Sequence, residues 1–257
     1  MVDKIVFLDI DGTIVDHEKK IPAETKQAVK RLKENGVHVA IATGRAPFMI
    51  EDIRRELNID SYVCFNGQYV VLEGKTVYEH PLTVEQLSAL TKKAEQSGHP
   101  MVFLNHEEMR ASVKEDPFIT DSLSSLKVAY PEVDPDYFYK KQIYQALLFC
   151  EDQEEKVYQD QDDSFTLIRW HDYSCDVLPG GGSKAVGVEK LIEASGLSSA
   201  DAYAFGDGLN DIEMIKHVGT GVAMGNAVPE LKAVADHIIG NVDEAGLAKG
   251  MVQIGLL

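Results

Sequence analysis

Short apolar runs alternate with helical patterns along the first part of the chain. Residues 5–9, 37–43 and 62–66 are mostly apolar, which is typical of strands buried inside a parallel sheet. Residues 22–35 place apolar side chains on one face of a helix, and residues 47–58 predict a second helix. The alternation of strand and helix predicts right-handed crossovers and a parallel sheet with helices on both faces.

The pattern changes after the third strand. Residues 66–80 predict a hairpin, and residues 83–97 predict a helix. The stretch 130–137 is rich in proline and acidic residues, which predicts a loop. Four further candidate strands lie in this part of the chain, at residues 101–105, 109–113, 143–150 and 165–171.

The alternation returns after the triple glycine at residues 180–182. The sequence therefore predicts an α/β fold with a doubly wound, Rossmann-like parallel-sheet core at residues 1–81 and 180–257. An inserted α+β cap domain is predicted at residues 82–179. The elements predicted in the last part are helices at 183–195, 210–217, 229–235 and from 243, and strands at 202–207, 221–225 and 237–240.

The composition is that of a globular protein, with 44% hydrophobic and 26% charged residues. A net charge of −17 argues against binding to nucleic acid or to an anionic membrane, since both need a basic surface. No apolar run reaches the roughly 20 residues that span a bilayer, and no basic leader precedes the first strand. The three cysteines have no metal-ligand spacing and predict free thiols, so we expect a cytoplasmic protein of undetermined oligomeric state.

Polar residues follow four of the predicted strands. Asp9 and Asp11 follow the first, Thr43 the second, Asn66 the third and Asp207 a later one. Ligands of a doubly wound sheet bind at the carboxyl ends of its strands, so these side chains are expected along one edge. Asp9 ends a strand that is covered on both faces, and its charge therefore needs a compensating partner such as a cation.

A Mg²⁺ ion suits these acids, because it prefers oxygen ligands and takes only one or two carboxylates beside water and phosphate. Asp9 and Asp207 are the predicted direct ligands. Asp9 is also the predicted nucleophile on phosphorus, which would give an aspartyl-phosphate. Asp11 falls on the same side of the chain, where it would protonate the leaving alkoxide and later deprotonate the attacking water.

Three groups are candidates for binding the phosphoryl oxygens. Thr43 offers a hydroxyl, and Gly44 offers a backbone N–H that no side chain obstructs. Lys184 lies in the first turn of a predicted helix, where its ammonium adds to the positive end of the helix dipole. Together with Mg²⁺, Lys184 would create local positive charge in a protein whose overall field repels anions.

Each motif alone has a simpler explanation. The Asp11-Gly12-Thr13 segment could form only an Asx-turn, and Asn66-Gly67 is more typical of a plain turn than of a site. Asn210 could be a helix N-cap. The prediction of a phosphoryl-transfer site depends on the co-occurrence of these signals at strand ends and helix starts.

This combination resembles the haloacid dehalogenase superfamily of phosphatases. "DIDGT" at residues 9–13 is similar to the first motif of that superfamily, Thr43 to the second, Lys184 to the third and "GDGLND" at residues 206–211 to the fourth. The large insert and the "NG" after the third strand resemble the Cof-type group, subclass IIB, which has a C2 cap. The resemblance implies a Mg²⁺-dependent phosphatase acting on a sugar phosphate or another small phosphorylated metabolite.

The resemblance also implies roles for individual residues. Asp9 would be the nucleophile and a metal ligand, and Asp11 the acid/base, which contacts the metal through its backbone carbonyl. Asp207 would be the other direct ligand, and Asp211 would hold the water molecules bound to the metal. Substrate contacts are implied for Thr43, Gly44, Arg45, Lys184 and Asn210.

Two alternative functions remain open at this stage. Asp11 favours phosphoryl transfer over dehalogenation, since a dehalogenase has no leaving alkoxide to protonate. A phosphomutase of the same superfamily is one alternative, although only 31 residues separate Asp11 from Thr43, where small-cap mutases carry an insert. A non-enzymatic signalling module that stores phosphate on an aspartate is the other, and Asp11 argues against it because it would speed hydrolysis.

Overall fold

The computed structural model describes residues 4–158 and 164–257, and these divide into two compact units. One, here called the core unit, consists of the described residues up to Arg45, of Met49–Glu79 and of Ser183–Leu257. The other, here called the insert unit, consists of Ala46–Phe48 and the described part of His80–Gly182. Among the described residues, no helix has both the length and the apolar character that crossing a bilayer requires.

The first part of the chain supplies five strands and two helices of the core unit. The strand and helix boundaries differ from the predicted ones by a few residues at each end, and the predicted hairpin is present. The elements are β1 (Ile5–Leu8), α1 (Ala23–Glu34), β2 (His38–Ala42), α2 (Glu51–Leu57), β3 (Tyr62–Cys64), β4 (Tyr69–Leu72) and β5 (Lys75–Glu79).

The insert unit is built from two helices and five strands. Its elements are α3 (Val84–Ser97), β6 (Met101–Leu104), β7 (Met109–Ala111), α4 (Pro117–Ser125), β8 (Gln145–Phe149), β9 (Phe165–His171) and β10 (Ser174–Pro179).

The chain then returns to the core unit for its remaining elements. These are α5 (Lys184–Ser195), β11 (Ala202–Gly206), α6 (Ile212–His217), β12 (Thr220–Ala223), α7 (Pro229–Lys232), β13 (His237–Ile238) and α8 (Gly246–Gln253).

The core unit is centred on one sheet in the order β13-β12-β11-β1-β2-β3-β4-β5. All neighbours from β13 to β3 are parallel, and the β4–β5 hairpin adds an antiparallel edge. Strand β1 lies between β11 and β2, with Ile5 opposite both Ala202 and His38. Every residue of β1 is buried, which explains its uninterrupted apolar sequence, "IVFL".

Helices cover both faces of this sheet. Helix α1 packs on β2 and contacts α8, whereas α5 and α6 pack together, with α5 against β3, β4 and β5 and α6 against β11 and β12. This arrangement confirms the predicted α/β architecture with a parallel-sheet core. Its consequence for function is that the carboxyl ends of β11, β1, β2 and β3 lie side by side.

The insert unit has its own antiparallel sheet and its own core. The sheet has the order β7-β6-β8-β10-β9. Helix α3 contributes Leu87 and Leu90 to a buried cluster that includes Phe103, Leu148 and Val177 of the sheet. The unit therefore buries an apolar core independently of the parallel sheet.

The sequence pattern does not predict β10. The alternation in "SCDVLP" covers only Ser174 to Val177, and all six residues of the strand are buried, including the polar ones. The polar Asp176 is accommodated there because its carboxylate accepts a hydrogen bond of 2.9 Å from the Gln145 amide of β8. The tertiary partner that makes this segment a strand is not visible in the local sequence.

Candidate active site

The centre of the site is a buried lysine between two aspartates. Asp9 directly follows β1, and its backbone N–H donates to the carbonyl of Phe205 on the neighbouring strand (3.0 Å). Lys184 begins α5, and only 1% of its surface is exposed. Its Nζ donates to Oδ1 of Asp9 at 2.8 Å and to Oδ1 of Asp211 at 2.6 Å.

Asp211 is held at both of its carboxylate oxygens. While Oδ1 accepts from Lys184, Oδ2 accepts the backbone N–H groups of Asp207 and Gly208, each at 3.0 Å. Asp211 is fully buried. Its carboxylate therefore fixes both Lys184 and the loop that carries Asp207. Asp211 thus supports two other residues of the site.

Three acids of the site are close enough to share a cation. One carboxylate oxygen from each of Asp9, Asp207 and Asp211 lies within 4.8 Å of the other two. Hard oxygen donors of this kind suit Mg²⁺, so the donor set fits the ion that the resemblance implies. Asp9 and Asp207 would hold the ion directly, because both oxygens of Asp211 already accept hydrogen bonds.

Burial and neighbouring charges shift the pKa values of these groups. Burial and the charges of Asp211 and Asp207 outweigh Lys184 and raise the pKa of Asp9 well above its ordinary value. Burial and the charge of Asp211 raise the pKa of Asp207 to about 7. Burial lowers the pKa of Lys184, but the two aspartates outweigh it and leave the pKa raised, so the ammonium stays charged. One ammonium does not balance these carboxylates, and a divalent cation would.

Asp11 faces a different set of partners. Arg45 donates to it twice, from Nε to Oδ2 at 2.8 Å and from Nη2 to Oδ1 at 2.7 Å, and Lys19 donates from Nζ to Oδ1 at 2.6 Å. Burial raises the pKa of Asp11, but these hydrogen bonds and charges outweigh it and lower the pKa overall. In this state the Asp11 carboxylate is ionised and able to accept a proton.

The loop after β2 brings Thr43, Gly44 and Arg45 to the same edge of the sheet. The Thr43 side chain is buried, and its hydroxyl accepts from the backbone N–H of Arg45 at 3.2 Å. A Cβ at Gly44 would lie 3.0 Å from Nδ2 of Asn66, so the glycine allows two loops to pack closely. Arg45 reaches Asp11 from this loop and thereby links the ends of β1 and β2.

The turn after β1 depends on Gly12. Its φ of +80° lies in the left-handed region, and a Cβ there would overlap the Asp207 carboxylate. The Gly12 carbonyl accepts from Nδ2 of Asn226 at 2.8 Å, and the same amide lies 3.3 Å from Oδ2 of Asp207. Asn226 follows β12 and so joins the end of that strand to the site as well.

Three polar residues of this region were not predicted as site residues. Asn226 follows the predicted strand at residues 221–225, and the strand-end rule that selected Asp9 could have found it. Lys19 has no such signal, because a turn brings it to Asp11. Asp16 fixes this turn by accepting hydrogen bonds at Oδ1 from the N–H groups of Glu18 and Lys20. The third residue is Asn66, which the sequence assigns to a plain turn and whose side chain accepts a hydrogen bond from Asn210 at 3.0 Å.

Comparisons with known proteins agree with this geometry. A family model of haloacid dehalogenase-like hydrolases matches residues 6–251. The chain is 49% identical over its whole length, and over the whole of that protein, to YkrA of Bacillus subtilis, which is provisionally named a phosphatase.

Solved structures share the complete fold. A protein of undescribed function from Geobacillus kaustophilus HTA426 is 56% identical, with a TM-score of 0.95 over 99% of this chain and 100% of that one. The subclass IIB sugar phosphatase BT4131 is 30% identical, with a TM-score of 0.87 over 99% of this chain and 100% of that one.

Proposed function

The chain belongs to the haloacid dehalogenase-like hydrolase family and is a phosphatase of it, and we propose that it hydrolyses small phosphorylated metabolites through a phosphorylated Asp9 with Mg²⁺ as its cofactor. The family membership confirms the resemblance inferred from the four sequence motifs. One observation carries the proposal: the buried Lys184 ammonium contacts Asp9 and Asp211. These belong to a group of three carboxylates, whose negative charge is larger than the single positive charge of Lys184.

In the first step, Oδ of Asp9 forms a bond to phosphorus while the ester bond from phosphorus to the leaving oxygen breaks. Lys184 neutralises the oxygens of the phosphoryl group, and the Thr43 hydroxyl and the Gly44 N–H add hydrogen bonds to them. Asn210 lies beside this group of donors. Mg²⁺ held by Asp9 and Asp207 would offset the negative charge of the phosphoryl oxygens.

Asp11 moves the proton in both steps. It gives a proton to the leaving alkoxide in the first step, and in the second it takes one from the water that attacks phosphorus, which releases phosphate and restores Asp9. Arg45 and Lys19 hold Asp11 ionised, which suits the second step. For the first step, the anionic ester must draw these two cations from Asp11, so that the carboxylate takes up its proton.

The relative BT4131 and the charge of the chain together support a substrate class. We propose a phosphomonoester of a sugar or a similar small metabolite, the class named for the structural relative BT4131. The net charge of −17 makes a large polyanion an unfavourable substrate, because only the local cations of the site attract a phosphate.

The proposal is tested by measuring phosphate release from a panel of phosphorylated metabolites, with Mg²⁺ and with EDTA. The panel should contain hexose phosphates, a polyol phosphate, a nucleotide and pyridoxal phosphate. We expect release from one or a few members that stops when EDTA removes the metal.

Absence of release from every member would contradict the proposal. A long-lived phosphoprotein after treatment with acetyl phosphate would then point to the phosphomutase or to the signalling module. Release that continues at the same rate in EDTA would contradict the role of Mg²⁺ and leave the phosphatase reaction in place.

A further inference from the structure

The turn that follows β3 has an unusual backbone. Phe65 and Asn66 both have φ in the left-handed region, at 53° and 50°, and Gly67 follows at 101°. Residues with a Cβ rarely adopt this conformation, and a bulky side chain such as that of Phe65 does so least of all. Such backbone persists only where the surrounding contacts determine it, and it clusters at functional sites.

The backbone of this turn holds the loop that carries Thr43 and Arg45. The N–H of Asn66 donates to the carbonyl of Thr43, and the N–H of Phe65 donates to the carbonyl of Arg45, both at 3.1 Å. The turn after β3 therefore fixes the loop after β2 at two points.

The Asn66 side chain reaches the opposite part of the site. It is 2% exposed, and its Oδ1 accepts from Nδ2 of Asn210 at 3.0 Å. Asn210 follows β11, and β1 and β2 lie between β11 and β3 in the sheet. Three strand spacings amount to roughly 14 Å, so this hydrogen bond connects loops whose strands are not in contact.

The last residue of the turn fits against the start of α5. A Cβ at Gly67 would overlap the carbonyl oxygen of Ser183, the residue directly before Lys184. Lys184 in turn donates to Asp211, which follows Asn210 in the chain. The contacts thus form a closed circuit that runs from Gly67 through α5 and Asp211 to Asn210, and back through Asn66.

From this circuit we infer that Asn66 is a positioning residue for phosphoryl transfer. Its side chain holds Asn210, and its backbone holds Thr43. The groups that follow β2 and those that follow β11 therefore keep a fixed separation around Asp9 and Lys184. This inference rests on the proposed phosphatase function. In this role Asn66 contacts neither the phosphate nor the metal.

A plain turn would account for a left-handed asparagine but not for this circuit. Asn58 provides the contrast, since it is exposed and ends α2 with φ 52° and ψ 50°. Its backbone N–H caps the helix by donating to the carbonyls of Arg54 and Arg55. Asn58 and Asn66 share their conformation, and only Asn66 lies at the carboxyl edge of the sheet.

The two asparagines make a matched pair of variants. Glycine tolerates left-handed φ, so Asn66→Gly removes the carboxamide while keeping the backbone conformation, and Asn58→Gly does the same on the surface. Asn210→Ala and the double variant Asn66→Gly/Asn210→Ala complete a cycle that measures whether the two asparagines act together. The readouts are kcat/KM, the dissociation constant of inorganic phosphate in the presence of Mg²⁺, and Tm.

We expect Asn66→Gly to lower kcat/KM by roughly 10-fold or more, because small misplacements of binding groups are costly in catalysis. The phosphate dissociation constant should rise as well, and Asn58→Gly should leave both unchanged. In the Asn210→Ala background, the Asn66→Gly change should have less than about a 2-fold further effect.

The inference is overturned if Asn66→Gly matches the wild type in kcat/KM and phosphate affinity, or if its effect is the same with and without Asn210. A general structural role predicts that second result, with a lowered Tm. Phosphate binding is read without any ester substrate. A wild type that binds phosphate but hydrolyses no ester therefore contradicts the proposed function, while the cycle still tests Asn66.

Discussion

Each unit of the molecule holds a cluster of charged side chains, and the two clusters differ in burial and in charge balance. In the core unit, the single cation Lys184 lies among Asp9, Asp207 and Asp211. In the insert unit, Arg169 lies against Glu155, with Nε at 2.9 Å and Nη2 at 2.8 Å from the same carboxylate oxygen.

The insert cluster is satisfied within the protein. Nη1 of Arg169 donates to the backbone carbonyls of Cys150, His171 and Asp172 at 3.0 to 3.2 Å. The guanidinium therefore meets the Glu155 carboxylate and several neutral acceptors, while the exposed Asp152 carboxylate lies 3.6 Å from its Nε. The core cluster retains an excess of carboxylate, and burial together with this excess raises the pKa of Asp9 and Asp207.

The comparison shows which buried charges indicate chemistry. A balanced pair with its hydrogen bonds made needs no further partner, and removing one side of it is expected to destabilise the unit. An unbalanced group of carboxylates needs a cation from outside the chain, which is the property that an active site uses. If this distinction is correct, substitutions in the two clusters should separate loss of activity from loss of stability.

The largest effect is expected from Asp9→Asn. Without the nucleophile, kcat should fall by on the order of 10⁴-fold or more. The fold should remain, since Lys184 keeps its contact with Asp211 and a buried charge with a raised pKa is removed. Steady-state kinetics and thermal unfolding measure the two quantities, and near-normal turnover in a pure sample would show that Asp9 is not the nucleophile.

Lys184→Met should impair both activity and stability. It removes the ammonium and leaves the carboxylates of Asp9 and Asp211 buried and unpaired, at a cost of about 3–5 kcal/mol in metal-free protein. Phosphate release should fall about 10²–10³-fold. Denaturant unfolding in EDTA and kinetics with Mg²⁺ provide the measurements.

Lys190→Met is the matched control in the same helix. Lys190 pairs with Glu193 at 2.9 Å on the surface, and such exposed pairs contribute little to stability because solvent screens them. An equal loss of stability in both lysine variants would contradict the expectation that the buried Lys184 contributes more to stability than the exposed Lys190.

Arg169→Met tests the balanced cluster. It removes the guanidinium from three backbone carbonyls and from Glu155, which keeps a hydrogen bond from the Cys175 thiol. The free energy of unfolding should fall by about 1–3 kcal/mol. Because the core unit keeps all of its groups, kcat should stay within about 3-fold of the wild type, well below the 10²-fold that a catalytic donor contributes. A large fall in kcat without loss of stability would mean that the insert cluster takes part in the reaction.

The smallest effect is expected in the pH dependence of stability. The folded-state pKa of Asp207, about 7, exceeds the ~3.9 of an aspartate in an unfolded chain. A raised folded-state pKa means that protonation stabilises the metal-free fold. This contribution is complete below about pH 4 and is lost as the pH rises through about 7.

Mg²⁺ should reverse that loss, because it binds the ionised carboxylate. The rise in Tm caused by Mg²⁺ should therefore grow between pH 5.5 and pH 8, by roughly 2–4 °C for each kcal/mol gained. Thermal unfolding with and without Mg²⁺ measures it, with Asp207→Asn as the comparison. A Mg²⁺ effect that is constant over this range would argue against Asp207 as a ligand.

The sequence predicted the central part of the site because its residues follow buried strands. Asp9, Thr43 and Asp207 each end an apolar run, and this position determines their place at the edge of the sheet. The strands are recognisable because the parallel sheet buries both of their faces. Lys184 could be predicted because a helix start after glycines is also a local signal.

The remaining residues depend on contacts that no local pattern encodes. Lys19 reaches Asp11 from a turn on the surface, and Asn66 reaches Asn210 past two intervening strands. In the insert unit, β10 is a strand because β8 and β9 pair with it on both sides. Tertiary pairing determines these features, and the apolar pattern alone does not report it.

The position of β1 between β2 and β11 has a consequence for the order in which the protein is made. β2 follows β1 closely in the chain, whereas β11 is translated only after the whole insert. On the ribosome, one edge of this fully apolar strand stays unpaired while more than half of the chain is synthesised. The nascent chain should therefore be prone to aggregation until β11 pairs, and Asp9 gains its contact with β11 only after that strand has been made.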